Sequence, residues 1–286
     1  MDGIGPPLVT PFDASGDIDH NALTELVEWV EARGVDFIAP CGSNSEAELL
    51  TADERRSVVE TVVDAASVPV LAGTGHPGLR DTLEATESAA DAGADAALVV
   101  TPFYYDHDQD ALEAYYREVA DESPLPVYLY SVPAYTGVRL APETVGALAD
   151  HPNVAGMKDS HAALGEFTRT HRRVAGETFD LMVGSASVLA AALDAGASGG
   201  VVALANLLPE ETAEVYRRHA VDPEAARRLN AELVEVNTAI TATYGVPGLK
   251  YAMRQRGVPA GSPRSPHRTP DEEARARLRE LLAEVE

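Results

Sequence analysis

Lysine is nearly absent from this chain of 286 residues, whose 22 basic side chains include two lysines, Lys158 and Lys250. Arginine supplies the other basic charges. A lysine amine can lose its proton and attack a carbonyl carbon, whereas a guanidinium stays charged. Lys158 ends a short apolar run, residues 154–158, where a charge without a use would be costly to bury. We therefore interpret Lys158 as a nucleophile that forms a Schiff base, in preference to a strand-ending residue paired with Asp159.

Cysteine and long apolar stretches are also scarce. The single cysteine, Cys41, excludes an internal disulfide and is consistent with a reducing compartment. Its place between apolar residues and Gly42 favours a small buried side chain over a nucleophile. No apolar run approaches membrane-spanning length, and the N-terminus lacks a basic region followed by a hydrophobic stretch. We expect a soluble, unprocessed, cytoplasmic protein with no membrane partner.

Positive charge is too sparse for a nucleic-acid partner. The 46 acidic side chains outnumber the basic ones and give a formal net charge of −24. Phosphate backbones are bound by clustered cations, which this composition does not supply. Abundant acid and scarce lysine indicate a halophilic protein from a cytoplasm at high salt, where screening removes the self-repulsion of the surface. This hypothesis predicts an unfolding temperature that rises with molar salt.

Apolar segments alternate with helix-periodic segments through most of the chain. The predicted strands are apolar throughout, which is typical of a parallel sheet covered by helices. They span residues 4–12, 35–39, 68–72, 96–101, 126–130, 154–158, 179–183 and 200–204. The first intervening helix starts at Asp19, and the second starts at Thr51, which forms a capping-box pattern with Glu54. Eight such units over about 220 residues predict an α/β fold, the (β/α)8 TIM barrel.

Beyond residue 221 the pattern changes to helices only. Helices are predicted over residues 223–244, 247–255 and 270–285. Residues 257–269 are rich in Gly, Pro, Ser and Arg, and they are predicted as a loop on the surface. We therefore divide the chain into a catalytic barrel, residues 1–221, and a C-terminal helical extension, residues 222–286, that packs on the barrel or on a second subunit.

Polar side chains suited to proton transfer follow the predicted strands, at the end where TIM barrels place their active sites. These positions are Thr10, residues 42–46, Thr74, residues 103–104, Tyr130, Lys158, residues 184–185 and residues 201–206. Lys158 could condense with a ketone while Tyr130 shuttles protons to the substrate oxygen, and the Ser43 hydroxyl could link two tyrosines into a relay. The set indicates a Schiff-base aldolase. Taken singly, Tyr130 could fill the core and Ser43 could cap a turn.

Two other classes of protein remain as alternatives. Residues 73–78 read G-x-G-x-x-G between a strand and a helix, as in dinucleotide-binding oxidoreductases, but the next strand ends in Val100-Thr101-Pro102 without the acid that holds the ribose. A catalytically inactive barrel used as a sensor or scaffold is the other. The eight histidines show no metal-ligand spacing, and His107 lies in an acidic turn. We rank the aldolase first and expect no metal and no cofactor.

Three motifs near the predicted strand ends are more specific than the single residues. They are Tyr130-Ser131-Val132-Pro133 with Thr136-Gly137, Gly156-Met157-Lys158-Asp159-Ser160, and Val99-Val100-Thr101-Pro102-Phe103-Tyr104. In these motifs, and along essentially its whole length, the chain resembles the dihydrodipicolinate synthase and N-acetylneuraminate lyase family of pyruvate-dependent class I aldolases. The resemblance implies a covalent Schiff base in place of a cofactor and a homotetramer built from two close dimers.

The resemblance also implies roles for single residues. Lys158 would be the Schiff-base lysine, Tyr130 the proton-transferring phenol, and Tyr104 a relay tyrosine that reaches a neighbouring subunit's site. Ser43 stands where the family usually has threonine, which keeps the hydroxyl. The residues implied for the pyruvyl group and the pocket around it are Ser43, Asn44, Gly184 and Val201.

Two departures from the family pattern bear on the substrate. The family loop commonly reads Gly-Thr-Thr-Gly-Glu, whereas residues 42–46 read Gly-Ser-Asn-Ser-Glu, which changes a donor and the backbone freedom beside the pyruvyl carboxylate. Dihydrodipicolinate synthases hold the carboxylate of aspartate semialdehyde with an arginine at the position of Tyr135, which offers no bidentate cation. Tyr135 and Thr136 could instead hydrogen-bond sugar hydroxyls.

These departures favour reversible cleavage of a 2-keto-3-deoxy sugar acid, with 2-keto-3-deoxygluconate as the first choice, into pyruvate and an uncharged aldehyde. The alternative is 4-hydroxy-tetrahydrodipicolinate synthase, which condenses pyruvate with aspartate semialdehyde. A keto-deoxy sugar acid dehydratase of the same family ranks lower, as does an NAD-binding oxidoreductase.

Overall fold

A parallel sheet forms the inner layer of the molecule. The structure, a computed structural model, describes residues 1–285. Its strands are β1 Gly3–Gly5, β2 Leu71–Gly73, β3 Ala96–Val100, β4 Val127–Ser131, β5 Val154–Asp159, β6 Asp180–Val183 and β7 Gly199–Val201. They lie in the order β1-β7-β6-β5-β4-β3-β2, and every neighbouring pair is parallel. This order follows the chain around a curved sheet, as in a TIM barrel.

Residues 35–40 close the barrel between β1 and β2. The sequence predicts a regular strand here, but the structure has isolated parallel bridges, which pair Pro7 with Ala39 and Ile38 with Val70. The N–H groups of Ile38 and Ala39 donate to proline carbonyls on either side. Proline has no N–H with which to complete the ladder. The segment therefore fills the eighth strand position without a continuous ladder, and the predicted (β/α)8 barrel is confirmed.

The first and last predicted strands are too long. β1 ends at Gly5, well short of residue 12, because Pro6, Pro7 and Pro11 cannot donate to a neighbouring strand. The predicted strand over residues 200–204 ends at Val201, and a 3-10 turn follows. The Asn206 side chain then replaces ladder hydrogen bonds. Its amide oxygen accepts from Val9 N–H at 3.2 Å, and its amide nitrogen donates to the Pro7 carbonyl at 3.0 Å.

Helices cover the outer face of the sheet. They are α1 His20–Glu31, α2 Ala52–Ala65, α3 Leu79–Asp91, α4 Gln109–Glu122, α5 Pro133–Thr136, α6 Pro142–Leu148, α7 Leu164–Val174, α8 Leu189–Asp194 and α9 Pro209–His219. The predicted caps are confirmed at two helices. Asp19 accepts from Ala22 N–H at 3.0 Å, and Thr51 and Glu54 exchange hydrogen bonds of 3.2 and 2.8 Å. These local contacts begin α1 and α2 where the sequence predicts.

Three further helices follow the barrel: α10 Pro223–Thr238, α11 Gly245–Gln255 and α12 Glu272–Val285. α10 packs on α8 and α9, and α12 packs on α10 and α11. The single helix predicted over residues 223–244 ends in a π-helical turn, Ala239–Thr243. Tyr244 N–H donates to the Ala239 carbonyl at 2.9 Å, five residues back, and Gly245 then turns the chain with a φ of 57°. Among residues 1–285, no helix combines the length and the apolarity that a membrane span requires.

The inside of the barrel is filled by a compact apolar cluster, separate from the larger core between sheet and helices. Its buried members are Phe37, Ala39, Leu71, Ala96, Leu98, Tyr128, Tyr130, Val132, Met182 and Val201. Two of the candidate site residues, Tyr130 and Val201, belong to it. The barrel is therefore a packed core, and reactive groups can meet substrate only at its rim.

Candidate active site

A cavity of about 410 Å³ opens at the carboxyl ends of the strands. Its walls come from residues 41–43 and 46–49, from the ends of β2, β3 and β4, from the start of α11 and from His267. A cavity of this size accepts a small organic substrate. Four of the candidate site residues line it: Ser43, Tyr130, Tyr135 and Thr136.

Lys158 lies on β5, between Tyr130 of β4 and Met182 of β6 in the register of the sheet. Its side chain is buried, and Nζ lies 4.2 Å from the centre of the Tyr130 ring. Among residues 1–285, this amine has no carboxylate within ion-pair distance and no hydrogen-bond partner. Because Tyr130 lines the cavity and Lys158 contacts the Tyr130 ring, the amine lies one side chain behind the cavity wall.

The alternative in which Lys158 pairs with Asp159 does not hold. The Asp159 carboxylate accepts a hydrogen bond from His161 N–H at 2.8 Å, within its own loop. Burial raises the pKa of Asp159 above its ordinary value, which a direct lysine partner would oppose. Lys158 is therefore a buried amine without a structural partner, which distinguishes it from ordinary buried lysines.

Ser43 and Tyr130 meet as predicted. Their hydroxyl oxygens are 3.4 Å apart, at the long end of the hydrogen-bond range. Ser43 starts a 3-10 turn, Ser43–Ser45, that follows the closing segment of the barrel. Ser45 secures this turn, since its hydroxyl accepts from Gly42 N–H at 3.2 Å and donates to the Leu8 carbonyl. The turn places one hydroxyl against the phenol that covers Lys158.

Tyr135 and Thr136 differ in what they can offer a ligand. Both lie on α5, a short helix that the sequence does not predict. The Thr136 hydroxyl is buried, accepts from Thr101 at 3.1 Å and donates to the Val138 carbonyl at 2.9 Å. Its hydrogen is therefore already used within the protein. Tyr135 is 68 % exposed and keeps its phenol free to meet a ligand.

The remaining predicted site residues do not line the cavity. Asn44 and Gly184 are partly exposed, and Val201 is fully buried in the barrel interior beside Tyr130. Gly184 N–H donates to the Asp159 carbonyl at 2.7 Å, and a Cβ at Gly184 would lie 1.8 Å from Ser160 Oγ. Tyr104 is 86 % exposed and packs edge-on against Tyr105 at 5.0 Å. Its ring does not line this chain's own cavity.

Packing accounts for two of the three glycines of residues 73–78, Gly73 and Gly75. A Cβ at Gly73 would lie 2.1 Å from the Cys41 carbonyl oxygen, and one at Gly75 would lie 2.5 Å from Val100 N. Both glycines also line the cavity. Neighbouring strand ends approach so closely here that no larger residue fits, and this requirement explains the G-x-G pattern without a nucleotide.

Cys41 is not a nucleophile of this site. Its side chain is buried, and burial raises the pKa of the thiol to about 12. The sulfur donates to the Arg55 carbonyl at 3.6 Å. A thiol held neutral in this way is unreactive.

Sequence reasoning missed a charged cluster at the far side of the cavity. The Glu46 carboxylate is fully buried and receives Lys250 Nζ, Arg264 N–H at 2.9 Å and His267 Nδ1 at 2.9 Å. The surface loop predicted over residues 257–269 is confirmed, and the structure adds that Arg264 and His267 anchor it to the buried Glu46. The rarity of lysine was a usable signal, since Lys250 is the second of two.

The sequence matches the dihydrodipicolinate synthetase family over residues 1–285. The chain belongs to this family. An uncharacterized DapA-like lyase of Halobacterium salinarum is 40 % identical over 100 % of this chain and 94 % of its own length. A 4-hydroxy-tetrahydrodipicolinate synthase of Natronomonas pharaonis is 37 % identical and covers 99 % of this chain and 97 % of its own length.

Solved structures of the family share the fold. A dihydrodipicolinate synthase of Bacillus anthracis superposes with a TM-score of 0.94 at 28 % identity, covering 99 % of this chain and 97 % of its own. YagE, a prophage protein of E. coli K12 in complex with pyruvate, gives 0.95 at 30 % identity, covering 100 % of this chain and 98 % of its own. The predicted family and fold are thus confirmed, and this dihydrodipicolinate synthetase family member is a lyase of the pyruvate-dependent aldolase and synthase type.

Proposed function

We propose that this family member is a class I aldolase that reversibly cleaves a 2-keto-3-deoxy sugar acid, with 2-keto-3-deoxygluconate as the first candidate, into pyruvate and an uncharged aldehyde. The proposal is supported mainly by the charges of the side chains that line the cavity. Among the described residues that line it there is no arginine and no lysine, whereas two glutamates, Glu46 and Glu48, do line it. A wall of this kind suits a hydroxylated aldehyde better than a second carboxylate.

Tyr135 supports the same choice. An aldehyde that carries a carboxylate is best held by a bidentate guanidinium. Tyr135 lines the cavity and offers a phenol, an uncharged group that can hydrogen-bond a sugar hydroxyl. Thr136 contributes a hydroxyl oxygen as acceptor only, because its hydrogen is held by the Val138 carbonyl.

The reaction begins with attack of the Lys158 amine on the C2 carbonyl of the keto acid. The flexible lysine stem swings past the Tyr130 ring to reach the cavity, and the carbinolamine loses water to give an iminium. Tyr130 gives its phenolic proton to the hydroxide that departs as water, and the phenolate then takes the proton of the C4 hydroxyl as the C3–C4 bond breaks and the aldehyde leaves. The electron pair of that bond flows into the iminium and forms an enamine. Protonation at C3 and hydrolysis then release pyruvate and restore Lys158.

The other candidate residues position the reactants. Ser43 holds the Tyr130 hydroxyl, and its loop, with Asn44, holds the pyruvyl carboxylate. Gly184 leaves room for the Ser160 side chain after β5, and Val201 packs in the barrel-interior cluster that includes Tyr130. Tyr104, exposed here, completes the relay in the site of a neighbouring subunit of a homotetramer. The mechanism uses neither a metal nor a cofactor.

The second candidate is 4-hydroxy-tetrahydrodipicolinate synthase. Relatives from Natronomonas pharaonis and Methanothrix thermoacetophila carry that name at 37 % and 34 % identity. Both reactions share the pyruvyl Schiff base at Lys158 and differ in the aldehyde. The choice between them therefore depends on the far wall of the cavity and not on the lysine.

Borohydride reduction in the presence of pyruvate tests the shared chemistry. The chain has two lysines, so one digest compares both. We expect the pyruvyl adduct on the Lys158 peptide and none on the Lys250 peptide. An unmodified Lys158 peptide would refute the Schiff-base mechanism. Parallel assays, cleavage of 2-keto-3-deoxygluconate and condensation of pyruvate with aspartate semialdehyde, then decide the substrate. Faster turnover in the second assay would establish the synthase instead.

A further inference from the structure

The cavity is larger than the pyruvyl site alone needs, and its far wall comes from the C-terminal part of the chain. The residues from that part are Gly245, Val246, Pro247 and His267. Of these four residues, His267 is the one with a polar side chain, and that side chain is 40 % exposed. The segment that follows α11 thus contributes a titratable group to a cavity whose reactive lysine lies on the barrel.

His267 is held by one of its two ring nitrogens. Nδ1 lies 2.9 Å from Glu46 Oε1. A buried, ion-paired carboxylate accepts hydrogen bonds, so Nδ1 carries the hydrogen. In the neutral ring Nε2 then bears a lone pair. Among residues 1–285, Nε2 has no hydrogen-bond partner.

Glu46, which accepts the hydrogen bond from His267, is itself fixed by other contacts. Glu46 is fully buried and receives Lys250 Nζ as an ion pair. Arg264 N–H donates to the same Oε1 that holds the imidazole, at 2.9 Å. Lys250 is fixed in turn by the Thr10 and Ser262 carbonyls, at 2.7 and 2.9 Å. The imidazole is therefore pre-oriented by a buried network, which a ring placed there only by chance would not need.

The distance from this imidazole to the reacting centre is limited by the chain. Ser43, which contacts Tyr130, and Glu46, which contacts His267, lie on one loop. Three residues of backbone span at most about 11 Å even when extended, and a 3-10 turn spans less. Ser43, Tyr130 and His267 line the same cavity, so a substrate whose keto group is at Lys158 extends its distal hydroxyl groups into the space that His267 also lines.

We propose that His267 Nε2 accepts a hydrogen bond from a hydroxyl of the aldehyde half of the substrate, which makes His267 a specificity-determining residue, with Glu46 and Lys250 as its positioning residues. This inference rests on the proposed aldolase function and adds the hydroxyl subsite to it. Loss of the acceptor would leave a substrate hydroxyl unpaired, which enzymes discriminate against strongly.

Two substitutions distinguish the roles of the two His267 ring nitrogens. In His267→Asn the side-chain amide replaces Nδ1 and can still donate to Glu46, but nothing replaces Nε2. In His267→Gln the longer side chain places its amide near the position of Nε2. We measure condensation of pyruvate with glyceraldehyde, which has two hydroxyls, and with propanal, which has none. Unfolding temperatures of both variants are measured alongside.

The wild type is expected to prefer glyceraldehyde over propanal in kcat/KM. His267→Asn should lower kcat/KM for glyceraldehyde about tenfold or more and leave propanal within about twofold, while His267→Gln should recover part of the loss. An unchanged ratio of the two aldehydes in both variants would overturn the inference. So would a wild type that does not discriminate between them, a result that needs no variant to fold.

The pyruvate adduct separates this failure from failure of the proposed function. Borohydride trapping on Lys158 should be unchanged in both variants, because the imine forms at the other end of the cavity. If trapping occurs but the aldehyde ratio does not change, the hydroxyl subsite alone is wrong. If no adduct forms in the wild type, the aldolase itself is wrong.

Discussion

The two lysines of this protein are both buried, yet they have opposite surroundings. Lys250 donates to the Thr10 and Ser262 carbonyls and pairs with Glu46, so its three N–H groups are all used. Lys158 contacts the face of the Tyr130 ring and, among residues 1–285, makes no hydrogen bond or ion pair. A fully bonded ammonium is structural. A buried amine left unbonded is available to a substrate.

A perturbed pKa alone would select Lys250 as the nucleophile. Burial lowers the pKa of Lys250 to about 8, against the opposing attraction of Glu46. Such a value suits a nucleophile near neutral pH, yet the Lys250 amine is enclosed by its three partners. The proposed mechanism therefore selects between the two lysines by whether the nitrogen is free to bond a substrate, and not by its pKa.

Lys158→Arg should give the largest effect. Arginine keeps the positive charge but cannot form an imine, so turnover should fall by about 10⁴-fold or more, with no adduct after borohydride reduction. The free energy of unfolding should change little, because Lys158 has no bonded partner to lose. Steady-state kinetics and urea denaturation measure the two quantities. A variant that unfolds at markedly lower urea would contradict the contrast between the lysines.

Lys250→Met should have the opposite profile. Removing one partner of a buried ion pair leaves Glu46 without its main counter-charge and should cost about 3–5 kcal/mol of unfolding free energy. Urea denaturation measures it, and the pyruvate adduct on Lys158 should still form in the folded fraction. The double variant Glu46→Gln/Lys250→Met is the matched control and should recover part of the loss. If the double variant is less stable than the single one, the pair is not the cause.

Tyr130→Phe tests the group that covers Lys158. The ring contact is kept and the hydroxyl is lost, so kcat should fall about 10²–10³-fold while pyruvate binding changes little. Ser43→Ala, which removes the 3.4 Å contact to that hydroxyl, should lower kcat about tenfold. The measurements are kcat for cleavage and the pyruvate concentration that half-saturates borohydride trapping. Equal losses in both would assign Tyr130 to binding instead of proton transfer.

Glu54→Gln should have the smallest effect of these substitutions. It tests how the free energy of unfolding depends on pH through the pair of Glu54 with Arg264. The Arg264 guanidinium lowers the pKa of Glu54 to about 2, and the two side chains form a bidentate pair. A carboxyl with a lowered folded-state pKa adds stability above its unfolded value, about 4.5, and loses it as the pH falls toward 2. In Glu54→Gln the free energy of unfolding should therefore fall less steeply between pH 4.5 and 2. If the wild type and the variant lose unfolding free energy equally steeply over this pH range, the pair of Glu54 with Arg264 is not formed.

Sequence reasoning succeeded where a contact is local or repeats with the fold. The capping box of Thr51 and Glu54 joins residues three apart and is confirmed, whereas the Schiff-base role of Lys158, which was argued from the rarity of lysine, stays a prediction. The strand over residues 35–39 was placed correctly but judged too regular, because the prolines of its two neighbours decide how many ladder bonds form. The domain boundary at residue 221 stays a prediction.

The part of the site that the sequence did not reveal depends on pairs far apart in the chain. Glu46 and Lys250 are 204 positions apart, and Glu46 and His267 are 221 apart. Neither pair leaves a periodic pattern, since one residue lies in a turn and the others on a helix and in a loop rich in Gly and Pro. Long-range charge pairing of this kind follows only from the fold.

The contacts of Arg264 and His267 with Glu46 also set an order of events during synthesis. Tyr130 and Lys158 are synthesised more than a hundred codons before His267, the histidine on the far wall of the cavity. A nascent polypeptide that ends before residue 264 lacks the contacts to Glu46 that fix the loop carrying Ser43. The loop that carries Ser43 therefore reaches its final bonding only when the last stretch of the chain has emerged and folded back.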